Sequence, residues 1–129
     1  MTKTIIKSHI WEREANEHYV EPSWCSARLF EEENFEGLIW DPCCGFGTIP
    51  KVAIDYGFEV FATDLIDRGY DEIHHVASFL DFNIVEDNVV CNPPFKIIKD
   101  FALHAMKSTT HKVAMICPAP RLNAAHAWL

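Results

Sequence analysis

The chain has 129 residues, 49% of them apolar and 12% aromatic, which suits one packed domain and excludes an intrinsically disordered chain. Its 11 basic and 19 acidic residues leave a formal charge of −8, so tight unaided binding of nucleic acid is not expected of the chain as a whole. No apolar run approaches the roughly 20 residues of a membrane helix, and MTKTIIKSHIWERE lacks the apolar centre of a signal peptide, so a soluble, cytoplasmic protein with no membrane partner is expected.

In chain order, residues 1–21 are polar and read as an N-terminal arm, ahead of a domain over 22–129. Pro22 suits the opening of a helix. Trp24, Ala27 and Phe30 then fall at helical spacing, predicting a helix over 23–33 whose last three glutamates are a solvated end. From residue 37 the pattern changes to short apolar runs alternating with helical periods. Residues 37–41 read as a buried strand. Residues 50–56 read as a helix, with Ile49, Val52, Ala53 and Tyr56 on one face, Thr48 as its cap and Gly57 at its exit. Further strands are predicted over 58–63, more weakly over 73–77, then over 88–91 and 113–117. A helix over 97–106 separates the last two, and another starts at Ala119. Alternating near-continuous apolar strands with helices predicts an α/β fold: a doubly wound, mostly parallel sheet covered on both faces, with ligands bound beyond the carboxyl ends of its strands.

Cys25, Cys43, Cys44, Cys91 and Cys117 are odd in number and show no C-x-x-C spacing, so free thiols are expected and no metal site. His74 and His75 are expected at a strand edge, one side chain on each face. Residues 1–91 hold 6 basic and 18 acidic groups, net −12, whereas 92–129 hold five basic groups against Asp100, net +4. Phosphate contact is therefore expected on one side only, from Lys96, Lys99, Lys107, Lys112 and Arg121.

Three motifs carry chemistry. Asp41-Pro42-Cys43-Cys44-Gly45-Phe46-Gly47-Thr48 ends the first strand, and its two glycines let the backbone turn sharply against a ligand. Pro50 stands where a dinucleotide fingerprint has its third glycine, and no G-K-[ST] follows for a P-loop. Asp64 ends the second strand, where a carboxylate can accept from ribose hydroxyls. Asn92-Pro93-Pro94-Phe95 follows the fourth strand, and its prolines make a stiff loop able to hold paired acceptors.

Together DPCCGFGT, ATDL and VVCNPPF resemble the class I S-adenosylmethionine-dependent methyltransferases, with a Rossmann-like fold. NPPF resembles the amino-methyltransferases, chiefly those acting on adenine N6 and cytosine N4 in DNA. Tyr19-Val20-Glu21-Pro22 with Trp24 resembles the N-terminal cofactor motif of one class of these enzymes, so the likeness runs over residues 19–117. The resemblance implies S-adenosyl-L-methionine as cofactor and methyl transfer to an exocyclic amine, adenine N6 in DNA ahead of RNA. It places Tyr19 and Pro22 at the cofactor, and Asp41, Pro42, Cys43, Gly45 and Gly47 against its methionine part. Asp64 would hold the ribose, Leu65 would lie against the adenine, and Ser78 and Phe79 would stand beside that ring. Asn92 and the Pro93 carbonyl would accept from the target amine, with Pro94 stiffening the loop and Phe95 stacking on the target base.

Three features depart from the family pattern. Ser78 replaces the usual acidic residue, with Asp81 three positions on, and Glu21 replaces the usual threonine, where its carboxylate would repel that of the cofactor unless it paired with the ammonium instead. The chain ends in the helix after the fifth strand, where family members continue, so a C-terminally incomplete domain and a separate recognition domain or subunit are expected. A protein-glutamine methyltransferase shares this type of loop, but residues 1–36 are too few for its N-terminal helical domain. A non-catalytic module binding the cofactor or a partner is the alternative from another class.

Overall fold

Residues 20–117 are described by the structure, a computed structural model. Tyr19, Arg121, the helix expected from Ala119 and residues 1–19 of the arm lie outside the described residues.

The first helix, α1 (Ser23–Glu32), starts at Pro22, whose ring fixes φ at −66°. Its buried residues are Ser26 and Phe30, one turn apart. Trp24, expected on the core face, is 65% exposed. Trp24, Ala27 and Phe30 are helically spaced, but the face is chosen by Phe30. That ring packs on Phe35, Phe58 and Tyr56 at centroid distances of 5.3–5.8 Å.

Strand β1 (Ile39–Asp41) is wholly buried. It is followed by α2 (Thr48–Asp55), β2 (Val60–Asp64) and β3 (His75–Val76). A 3-10 turn over Phe79–Asp81 leads to β4 (Glu86–Cys91). A second such turn, Phe95–Ile97, leads into α3 (Ile98–Lys107) and then β5 (Thr109–Met115). The strands form one sheet in the order β3-β2-β1-β4-β5, and every pairing is parallel. Successive side chains of a strand point to opposite faces. Ile39 and Val90 accordingly join Phe30, Phe35, Ile49 and Ala53 on one side, while Trp40 and Val89 join Phe79, Phe101 and Ala105 on the other. The sheet is thus covered on both faces, as predicted. Trp40 is completely buried and its indole N–H donates to Thr63 Oγ1 across β1 and β2 at 3.1 Å. Truncating it to alanine would cost about 3–5 kcal/mol.

Several boundaries move for identifiable reasons. Gly47, not Thr48, caps α2, because Gly47 takes φ 88° and Thr48 is already helical. Strands β4 and β5 begin earlier than their apolar runs. β5 is an edge strand, so its polar Thr109, Thr110, His111 and Lys112 remain partly or fully solvated while still pairing. His74 and His75 do not alternate across β3. The His74 ring turns back to accept from Ala62 N–H at 3.0 Å and packs on Phe61, while the His75 ring packs on Phe82, itself against Phe61. Among the described residues no helix is long and apolar enough to cross a membrane.

Candidate functional site at the carboxyl edge of the sheet

The strand order reverses between β1 and β4, and ligands of such sheets bind in the crevice above that point. Two loops meet there. The first follows β1. Asp41 is buried and its Oδ1 accepts from Cys43 N–H at 3.1 Å. Cys44 N–H donates to the Thr63 carbonyl at 2.9 Å, and Gly47 N–H to the Cys44 carbonyl at 2.8 Å. Gly45 N–H donates to Asp64 Oδ2 at 2.8 Å. Gly45 and Gly47 hold φ of 56° and 88°, which L side chains rarely adopt. A Cβ on Gly47 would lie 2.3 Å from the Tyr70 ring, so that ring closes directly over the turn. Pro42 is fully buried beneath it.

The amides of residues 43, 44, 45 and 47 are thus engaged inside the protein. An anion cradle needs such N–H groups aimed outward. This turn instead presents carboxylates. Burial pushes the Asp41 carboxyl well above the usual range, the Cys43 amide opposes that rise, and the charges of Glu21 and Asp64 add to it. Burial also raises Glu21. The Cys43 thiol is likewise pushed far up by burial, which makes it a buried donor rather than a nucleophile.

The second loop follows β4. Asn92 is 3% exposed, and its Nδ2 donates to Glu21 Oε2 at 2.7 Å. The Asn92 carbonyl accepts from the Cys43 thiol at 3.1 Å. Pro93 is fully buried, Pro94 is exposed with φ −60°, and Phe95 is half-buried at the start of the turn into α3. Glu21 therefore packs within the fold rather than in a solvated arm, and it reaches Asn92 although 71 residues separate them.

Asp41, Pro42, Cys43, Gly45, Gly47, Asp64 and Asn92 come together at this edge, with Pro22 heading α1 beside Glu21. Asp64 stands at the end of β2 as expected. Its Oδ2 takes the Gly45 amide and its Oδ1 the Ile66 amide, with Arg68 Nε 3.8 Å away. Phe79, expected beside an adenine, is 1% exposed and packs on Trp40 and His104 in the core. Its neighbours differ: Ser78 Oγ caps the turn by accepting from Leu80 N–H, and Leu80 is exposed, as are Leu65 and Asp81. The basic side also shrinks. Lys112 pairs with Glu33 at 3.2 Å and Lys107 closes α3, while Lys96 and Lys99 are exposed next to Phe95 in sequence. Tyr70 was not legible as a site residue, because nothing in its spacing marks the ring that covers Gly47.

No protein-family model matches the chain, and neither does any curated protein. Solved structures do. The chain is similar to a provisionally assigned RNA methyltransferase from Pyrococcus horikoshii, at 21% identity and TM-score 0.60 over 82% of this chain and 62% of that one. It is similar to TrmN from Thermus thermophilus, at 21% identity and TM-score 0.58 over 84% and 42%. A mycolic acid cyclopropane synthase in its ligand-free form matches at 14% identity and TM-score 0.54, over 74% and 43%. The chain thus spans 62% of the first of these proteins and less of the others. The fold is that of the Rossmann-like methyltransferases.

Proposed function

We propose that this chain forms the S-adenosylmethionine-binding core of an amino-methyltransferase whose target is the exocyclic N6 of adenine in DNA. The observation that carries the reading is the junction of the two loops: a carboxylate-lined glycine turn tied through Cys43 to the main chain of Asn92. The residues fit the cofactor. Its ammonium and sulfonium are cationic, and Asp41 is a buried carboxylate, pushed up by burial and further by the charges of Glu21 and Asp64, that a cation relieves. The inward-facing amides disfavour a phosphate group in the same place. When bound, S-adenosylmethionine supplies a methyl group already activated by the sulfonium charge.

This chain's residues then bind and orient. Asp41 would face the ammonium. Asp64 would accept from the ribose hydroxyls. Leu65 and Leu80, exposed on the loops after neighbouring strands, give apolar cover to the cofactor's adenine, with Phe79 anchoring the second loop in the core. Asn92 Oδ1 and the Pro93 carbonyl accept from the target NH2. Two acceptors favour a pyramidal nitrogen and free its lone pair, so positioning supplies the catalysis and no side-chain nucleophile is needed. Phe95 offers a stacking face for the target base.

Extracting a paired base costs a few kcal/mol, and Lys96 and Lys99 give only a weak phosphate contact. Single strands are therefore preferred to duplex. The Pyrococcus protein's assignment favours RNA as the second reading. The test is calorimetry with S-adenosylmethionine, then labelled-methyl transfer to adenine-containing single-stranded DNA, duplex DNA, RNA and a glutamine peptide. Transfer to adenine N6 supports the reading. Binding without transfer to any of the four overturns it in favour of a cofactor-binding module.

A further inference from the structure

We infer that Glu21 is a positioning residue: its carboxylate fixes the Asn92 side chain so that the amide oxygen, and not the nitrogen, faces the target amine. The inference rests on the proposed role of Asn92 as amine acceptor. A side-chain amide has two ends of nearly equal shape and opposite hydrogen-bonding sense. Rotating it by half a turn barely alters packing, yet it would replace an acceptor with a donor that repels an NH2 group. Something must choose between the two orientations.

Glu21 makes that choice. An ionised carboxylate only accepts, so the end facing it is Nδ2, and the 2.7 Å separation is that of a charge-assisted bond. Both partners are withdrawn from water, Glu21 at 4% exposure and Asn92 at 3%. Solvent therefore offers neither of them a ready replacement. Glu21 is itself held in place. Pro22 restricts the backbone of Glu21, the residue before it, and the Pro22 carbonyl accepts from Cys25 N–H at 3.0 Å in the first turn of α1. The main chain of Asn92 is anchored separately, by the Cys43 thiol on its carbonyl. Backbone and side chain of the acceptor are thus fixed from two different elements. The bond also draws electron density toward Oδ1 and strengthens it as an acceptor.

The test uses the whole chain. Isotope-edited NMR of the unsubstituted protein reads the Asn92 side-chain amide, expected deshielded, slow to exchange and close in space to the Glu21 γ protons. Absence of that proximity overturns the inference without any variant. Turnover on an adenine-containing single strand is then measured for Glu21→Ala and Glu21→Gln. At saturating cofactor, Glu21→Ala is expected to lower kcat by about ten- to a hundredfold with target KM little changed, the scale of a small misplacement of a reacting group. Glu21→Gln carries an amide that can itself present either end, so it no longer chooses and is expected to recover only part of that loss. Unchanged kcat in Glu21→Ala, or full recovery in Glu21→Gln, overturns the role. Transfer without the amide contact overturns the positioning role alone. The contact without any transfer overturns the amine-methylation reading, and the positioning role with it.

Discussion

The two loops at the carboxyl edge of the sheet meet opposite demands. The loop after β1 bends, and it does so with glycines at positive φ and amides satisfied by Asp41, Asp64, Thr63 and Cys44. The loop after β4 resists bending, and it does so with two prolines and two anchors, Glu21 and Cys43. The first bends backbone sharply at the strand end. The second holds one side chain still. Strength in the first comes from several amide bonds, two of them to carboxylates, that share the load, whereas the second depends on a few contacts whose loss is felt at one atom.

The difference predicts how each loop fails. Asn92→Ala is expected to lower turnover by about a hundred- to a thousandfold, the range seen when one preorganised partner of a developing charge is removed. Cofactor affinity by calorimetry should change little, and a comparable fall in both would mean that the two loops are not separable.

Gly47→Ala should act on the other loop. The new methyl meets the Tyr70 ring at 2.3 Å and imposes strain at φ 88°. A cost of about 1–3 kcal/mol in stability and a loss of cofactor binding are expected, read by thermal melts and calorimetry. An unaltered melt would show that Tyr70 does not cover the turn.

The charge on the first loop gives a smaller effect with a definite sign. Asp41 and Glu21 have folded pKa values raised above their ordinary 3.8 and 4.5. Their contribution to stability is therefore fully present below those values and is lost as pH rises through the raised ones. The ligand-free protein should melt higher near pH 5 than near pH 8. Asp41→Asn should flatten the profile, and S-adenosylmethionine should raise the melting temperature more at pH 8 than at pH 5. A profile that Asp41→Asn leaves unchanged would remove Asp41 as its source.

Smallest of all is the effect of the surface cations. Replacing Lys96 and Lys99 together by alanine should weaken single-strand binding and reduce the slope of log affinity against log salt by about 1.4.

The sheet was legible because buried parallel strands are short apolar runs, and the glycine and proline loops were legible because both residues restrict or free φ directly. The start of β5 was not, since an edge strand tolerates polar side chains. The face of α1 was misjudged because Trp24 and Phe30 are equally apolar, and only the ring cluster around Phe30 decides between them. Phe79 was placed beside the adenine by the family resemblance, but Trp40 and His104 pack against its ring. Glu21 stood out in the sequence only as a departure from a pattern. Its partner lies too far along the chain for any local spacing to reveal.

The strand order has a consequence for synthesis. Among the described strands β1 is synthesised before the other four, yet it lies at the centre of the sheet, between β2 and β4. One side can pair soon, with β2. The other must wait until β4 emerges, when Ile39 meets Asn88, and the Asn88 amide then closes the carbonyls of Glu36 and Leu38. Until that moment the nascent chain carries an apolar open edge at Ile39 and Trp40, the kind of template on which neighbouring chains pair. The arrival of Asn88 is the event that ends that exposure.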